Sequence, residues 1–270
     1  MICFPNAKIN IGLRITEKRD DGFHNIESCF YPIPWYDILE IIPAKELSFY
    51  SNGIDIPGDL NDNLCIKAYN LVKKDYNIPA VSIFLQKIIP IGAGMGGGSS
   101  DAAYTLKSLN DLFNLKITET QLESYAKKLG SDCAFFIKNK PVIAFEKGDV
   151  FENCSINLAG KQLLTIYPNT HVSTKEAYAG VSPKIPQKSL STILNTDILN
   201  WKEEVSNDFE KSIFPKYPLL EQIKAQLYSG GALYASMTGS GSTVFVIFES
   251  EINTQLLFDK SFVVRKMVLN

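Results

Sequence analysis

Apolar and polar positions alternate most clearly at Val81, Ile83 and Leu85, which predicts a half-buried strand over residues 81–87. Residues 38–42 and 47–50 share the apolar content and partial alternation of strands. Ahead of the 81–87 strand, Leu64, Ala68, Leu71 and Val72 recur on one helical face, and Asp62 stands where a short acceptor side chain would cap that helix. A second helical stripe runs through Ala102, Ala103, Leu106, Leu109 and Phe113, with Ser99, Ser100 or Asp101 available at its start. Thr118 and Gln121 have capping-box spacing before the stripe Leu122, Tyr125, Ala126 and Leu129, and Gly130 is placed to end it. Asp132 then follows in a helix-terminal turn.

Beyond residue 150 the pattern predicts a strand over 163–167, a Pro- and Ser-rich stretch over 183–190, and a helix over 219–228 stopped by Gly230-Gly231. Strands over 233–237 and 243–248 bracket a second glycine loop, residues 238–242. Strands and helices interleave without regular alternation, so the expected class is α+β rather than a doubly wound parallel sheet. There is no internal repeat or low-complexity linker, and the change of pattern divides the chain into 1–155 and 156–270.

Composition adds limits more than it adds detail. With 270 residues, 45% hydrophobic and 21% charged, the chain can bury an enzyme-sized core and is neither disordered nor collagen-like. A net charge of −2 without a basic stripe excludes a broad nucleic-acid surface. Cys3, Cys29, Cys65, Cys133 and Cys154 are widely spaced, odd in number and without a C-x-x-C pair, so they read as reduced core thiols. His24 and His171 are too isolated for a zinc signature, and His171 reads as a surface or satisfied side chain. The N-terminus has no charged segment followed by an apolar run, and no apolar stretch approaches a membrane helix. The expectation is a soluble cytoplasmic protein with no membrane partner.

The candidate chemistry centres on Pro90-Ile91-Gly92-Ala93-Gly94-Met95-Gly96-Gly97-Gly98-Ser99-Ser100, which lies between a predicted strand and a predicted helix. Glycines let successive N–H groups converge on an anion, and the helix adds its dipole and unpaired first-turn donors. Gly92 to Gly97 spell G-x-G-x-x-G, but the acidic strand end that a dinucleotide fold needs about 20 residues later is missing. The lysine of a P-loop is missing too, since the loop continues Gly-Gly-Ser-Ser-Asp. Near the N-terminus, Lys8 lies within a strand pattern, Pro5-Asn-Ala-Lys8-Ile-Asn10.

Taken in order, Pro5 to Asn10, the loop from Pro90 and the segment Met237 to Ser242 resemble the three motifs of the GHMP kinases. That superfamily includes galactokinase, homoserine kinase, mevalonate kinase and phosphomevalonate kinase, and the resemblance covers nearly the whole chain. Asp21-Gly-Phe-His24, Lys87 to Asp101, Leu129-Gly-Ser-Asp132, Val172 to Tyr178 and Asn207-Asp208 resemble the branch that phosphorylates 4-diphosphocytidyl-2-C-methyl-D-erythritol.

This resemblance implies a two-domain GHMP kinase fold with the active site between an N-terminal nucleotide-binding domain and a C-terminal domain. It implies ATP, accompanied by Mg²⁺, and a small cytidine-diphosphate-linked acceptor. Lys8 and Asp132 take the catalytic positions, and residues 90–100 with Asn63, Lys87 and Asp101 take the ATP positions. Asn63 also reads as a helix-start residue and Lys87 as a solvated strand-end charge. Asn10, Phe23, His24, Thr174 and Tyr178 fall at the acceptor. Phe23 replaces a common family tyrosine, keeping the ring and losing the hydroxyl, and the first proline stands one residue farther from the lysine than in the commonest pattern.

Overall fold

The computed structural model describes residues 1–250 and 258–269, and within them the chain packs as two compact units, each discontinuous in sequence. The first comprises residues 1–7, 35–91 and 96–140, and the second comprises 8–34, 92–95 and 141–270. A single cut near residue 155 therefore does not separate them.

In the first unit, β1 (Ile2–Cys3), β4 (Ile38–Pro43), β5 (Ser48–Gly53) and β6 (Val81–Lys87) form a sheet ordered β1-β4-β6-β5. The β4–β6 pairing is antiparallel and sets Leu39 opposite Leu85 and Ile41 opposite Ile83. These four side chains are buried, as the period of two requires for a face turned to the core. Gly53 lies opposite Lys87 in the parallel β5–β6 pair.

Four helices complete this unit: α1 (Leu64–Asp75), α2 (Gly97–Leu112), α3 (Glu119–Leu129) and α4 (Phe135–Lys138). The α1 cap is Asn63, not Asp62. Its side-chain oxygen accepts the Cys65 N–H at 2.9 Å, while Asp62 ends a preceding 3-10 turn. The capping box at α3 is present, with Thr118 and Gln121 exchanging bonds.

Two further sheets among the described residues lie mainly in the second unit. One has the order β2-β3-β7-β8, from β2 (Asn6–Lys18), β3 (His24–Tyr36), β7 (Val142–Glu146) and β8 (Val150–Asn153). The other has the order β10-β11-β9-β12, from β9 (Gln162–Tyr167), β10 (Tyr234–Met237), β11 (Val244–Phe248) and β12 (Val263–Val268), with antiparallel pairings. Helices α5 (Thr174–Ala179), α6 (Leu190–Leu194), α7 (Trp201–Glu204), α8 (Glu210–Ile213) and α9 (Pro218–Ser229) belong with them. The α+β class is the one expected, with helices and strands mixed and a single β5–β6 parallel pair described between named strands.

Candidate active site

Lys8 sits on β2, only 3% exposed, and its ammonium donates to Asn10 Oδ1 at 2.6 Å. The face of Phe30 lies 4.4 Å from the same Nζ. Residues two apart on a strand share a face, which is why Lys8 and Asn10 meet. Asn10 is held in turn: its Nδ2 donates to Ser28 Oγ at 2.9 Å and its backbone N–H to Thr238 Oγ1 at 3.0 Å.

Thr238 connects this strand to both glycine loops. Its hydroxyl donates to Gly94 O at 3.0 Å, and Lys8 N–H donates to Met95 O at 3.0 Å. The loops approach so closely that a Cβ on Gly94 would stand 2.1 Å from Thr238 O, at a φ of +79° that favours glycine. Asn207 shapes the second loop by donating to Met237 O at 2.7 Å and Gly239 O at 2.9 Å. Neither Thr238 nor Asn207 stands among the site residues expected above. Their signal was the motif match itself, because each acts through backbone atoms of a loop and carries no charge.

The glycine stretch leads directly into α2. Gly96 occupies the cap in the left-handed region (φ +69°) and offers no side-chain cap, so Gly97, Gly98, Ser99, Ser100 and Asp101 are the opening residues of the helix. Ser99 and Ser100 are consequently inside the first turn rather than capping it. The first-turn N–H groups have no acceptor within a helix, and they converge with the positive end of its dipole. Ser100 Oγ is buried without a hydrogen-bond partner among the described residues. An orphaned hydroxyl beside such donors is suited to a phosphate oxygen or a magnesium ligand.

Lys87 is no solvated strand-end charge. It is 3% exposed and its ammonium bridges Asp37 and Asp101, with Asp101 Oδ2 at 2.8 Å. Asp37 also accepts the N–H groups of Ile88 at 2.6 Å and Ile89 at 2.8 Å, which fixes the chain between β6 and the glycine stretch. A Cβ on Gly97 would lie 2.9 Å from Lys87 Nζ, so the missing side chain makes room for the ammonium under α2. Burial pushes the Asp101 pKa up, and although Lys87 opposes this, the carboxyl is raised to about 7. Burial pulls Lys87 down, but the Asp101 and Asp37 carboxylates outweigh it and leave the ammonium above its ordinary value.

Asp132 lies in the turn between α3 and α4, half-buried. The neighbouring Cys133 is in the core, and burial pushes its thiol up to about 12 against the smaller, lowering influence of the Ser99 side chain. Lys8 belongs to the second unit and Asp132 to the first.

The expected acceptor residues lie on the second unit. A tight turn from Arg19 to Phe23, with Gly22 at φ +83°, returns the chain from β2 to β3 and places Phe23 and His24 at the strand entry. Phe23 is 57% exposed, with Lys147 Nζ 5.2 Å from its ring. His24 stacks on Tyr178 with centroids 4.8 Å apart and planes at 22°, and Phe209 meets Tyr178 edge-on at 4.8 Å. Burial, then the charge of Lys18, lowers the His24 pKa, which keeps the ring neutral at pH 7. Thr174 opens α5 after the Ser173 cap, its hydroxyl 3.3 Å from Ser240 Oγ. His171, which no motif marks, lies against the glycine stretch, since a Cβ on Gly92 would stand 3.1 Å from its Nδ1.

Comparison with known proteins places these features in a family. Residues 63–140 match the GHMP kinases N terminal domain and residues 189–258 the GHMP kinases C terminal domain. Over 255 residues the chain is 55% identical to the 4-diphosphocytidyl-2-C-methyl-D-erythritol kinase of Cytophaga hutchinsonii, covering 94% of each. Over 267 residues it is 49% identical to the enzyme of that name from Bacteroides fragilis, covering 97% of each. A solved 4-(cytidine 5'-diphospho)-2C-methyl-D-erythritol kinase superposes with a TM-score of 0.79 at 28% identity, over 93% of this chain and 91% of that one. The mevalonate kinase of Methanococcus jannaschii, at 14% identity and a TM-score of 0.72 over 100% and 98% of the two chains, shares the fold.

Proposed function

We propose that this chain, which belongs to the 4-diphosphocytidyl-2-C-methyl-D-erythritol kinase family of the GHMP kinases, transfers the γ-phosphoryl group of ATP to the 2-hydroxyl of that acceptor. ADP and the 2-phosphate leave, and the reaction serves isoprenoid precursor synthesis by the methylerythritol phosphate route. ATP is a cytoplasmic metabolite, and the reaction belongs in that compartment. The observation carrying the reading is the buried Lys8–Asn10 pair, on a strand whose backbone is bonded to the glycine stretch.

The first-turn N–H groups of α2 and the orphaned Ser100 hydroxyl receive the ATP phosphates. A Mg²⁺ ion brought with ATP would supply positive charge to compensate the phosphoryl oxygens. Ser99 and Ser100, in the first turn of α2, would offer such a hard ion hydroxyl oxygens. Among the described residues no group of three or more His, Cys, Asp or Glu forms a separate metal centre. Lys87 and Asp101, whose charges meet each other under α2, act on ATP by fixing the stretch that holds it.

Phosphoryl transfer through a loose transition state asks little covalent chemistry of a protein, so positioning and charge compensation dominate. Asp132 accepts the proton of the acceptor hydroxyl, late in the transfer, and the Lys8 ammonium compensates the charge near the moving phosphoryl group. The open face of Phe23 stacks on cytosine, while the neutral His24 presents a donor and an acceptor to an uncharged base, its ring fixed by Tyr178.

ADP release with the cytidine-linked acceptor, measured beside homoserine, mevalonate and galactose, tests this directly. A clear preference for the cytidine-linked acceptor is expected, and turnover of another acceptor in its place overturns the reading. Lys8→Ala and Asp132→Asn should each lower kcat at least about a hundredfold with an unchanged circular dichroism spectrum. Undiminished turnover in either variant removes that residue's role.

A further inference from the structure

All five cysteines are free thiols, but two of them form a pair. Cys29 on β3 and Cys154 just past β8 are 125 residues apart in sequence, and their Sγ atoms are 3.8 Å apart, with Cys29 the donor. Cys29 has no exposed surface, whereas Cys154 is half-buried. A thiol that solvent reaches is thus backed by one in the core. Cys3, the other half-buried cysteine, has the Ser108 hydroxyl beside it at 3.3 Å. Cys65 and Cys133 are buried.

The pairing divides the two chemical roles. The hydrogen bond from Cys29 outweighs burial and lowers the Cys154 pKa to about 7, so a large share is thiolate at neutral pH. Burial, then the Cys154 neighbour, holds the Cys29 thiol well above its ordinary value. Cys154 is therefore the group that meets an oxidant, and Cys29 the group that resolves the product.

The position on β3 gives the pair a route to the reaction. Successive residues on a strand face opposite sides, so Ser28 and Phe30 flank Cys29 on the other face. Ser28 holds Asn10, Asn10 holds Lys8, and Phe30 lies against the Lys8 ammonium.

We propose that Cys29 and Cys154 are a thiol switch, closed to a disulfide by hydroperoxides, whose closure displaces the β3 segment supporting Lys8 and lowers turnover. The effect on turnover rests on the function proposed above. In the first step the Cys154 thiolate attacks one peroxide oxygen, the O–O bond breaks, and an alcohol or water leaves with a proton from solvent. In the second step Cys29 sulfur attacks the Cys154 sulfenic acid, the S–S bond forms, and the S–O bond breaks. The leaving hydroxide takes the Cys29 proton as water. Two thiols have lost two electrons and the hydroperoxide has gained them. A disulfide is about 2.05 Å long, so the sulfurs must approach by roughly 1.7 Å, a shift that a close-packed interior passes on to its neighbours.

The test treats the reduced full-length enzyme with hydrogen peroxide and follows peptide masses and turnover together. A linked Cys29–Cys154 peptide pair should form, turnover should fall at least about tenfold as displaced groups lose their alignment, and dithiothreitol should restore it. Cys154→Ser should be active when reduced and keep its turnover under peroxide, while Cys29→Ser should accumulate a Cys154 sulfenic acid that dimedone traps. Absence of the linked peptide overturns the switch, as does a linked peptide with undiminished turnover. If the reduced enzyme is inactive on the cytidine-linked acceptor, the function assignment falls, and the switch then stands or falls on the linked peptide alone.

Discussion

Lys87 holds two carboxylates, Asp37 and Asp101, in a place where all three groups are almost fully buried. A buried ion cluster costs desolvation on every member, and here it shows in Asp101, raised from 3.8 to about 7 by burial. Between these values the folded protein keeps a proton that the unfolded chain releases, so this group makes stability fall as pH rises from about 4 to about 7. Asp101→Asn should flatten that part of the profile, read as the urea midpoint against pH. A variant with the original slope would show that the proton resides elsewhere in the cluster. Asn63 offers a second test, because Asp caps a helix as well as Asn does but lacks the amide donor. Asn63→Ala should cost about 1 kcal/mol of stability. Asn63→Asp should keep the stability and raise the KM for ATP if the amide reaches the nucleotide, and an unchanged KM would leave Asn63 as a cap alone. Lys8 and the serines were legible in the sequence because their chemistry is carried by residue type and local order. Asp37 was not, because it stands 50 residues before Lys87 and no motif spans that distance.

At the scale of elements, the glycine stretch combines two demands that single substitutions separate. Gly94 is needed for the close approach of two loops, so Gly94→Ala should destabilise the fold by about 1 to 3 kcal/mol in urea unfolding. Gly98 lies in α2 with open space where a methyl group would stand, and Gly98→Ala should be neutral to about 1 kcal/mol stabilising. On the proposed phosphate site at this helix start, the same methyl would crowd the nucleotide, so KM for ATP should rise even as stability holds. Equal KM values in Gly98→Ala and the parent would contradict phosphate capture at this helix start. The α1 to α3 stripes, β6 and α9 were legible because each is long and one-sided. β3 was not, since Pro32 and Pro34 interrupt it and both of its faces are largely apolar. Helices α6 to α8 contain four or five residues each, too few for a periodic stripe to emerge.

For the whole molecule, fold class and family were legible because three motifs recur in order along almost the entire chain. The division into units was not, because both are assembled from separated segments: the chain enters the second at Lys8, returns to the first at Trp35, and crosses again at the glycine stretch. Sequence patterning marks where elements change, whereas packing decides which elements belong together. The central claim for the molecule is transfer of a phosphoryl group to one particular hydroxyl of one acceptor. Proton-coupled phosphorus NMR of the product made from ATP and 4-diphosphocytidyl-2-C-methyl-D-erythritol reads that claim directly. The 2-hydroxyl is on a carbon without hydrogen, so the new phosphomonoester signal should lack three-bond proton coupling and grow in step with ADP. A multiplet from phosphate on a hydrogen-bearing carbon, or ADP formed without any new phosphomonoester, would contradict it.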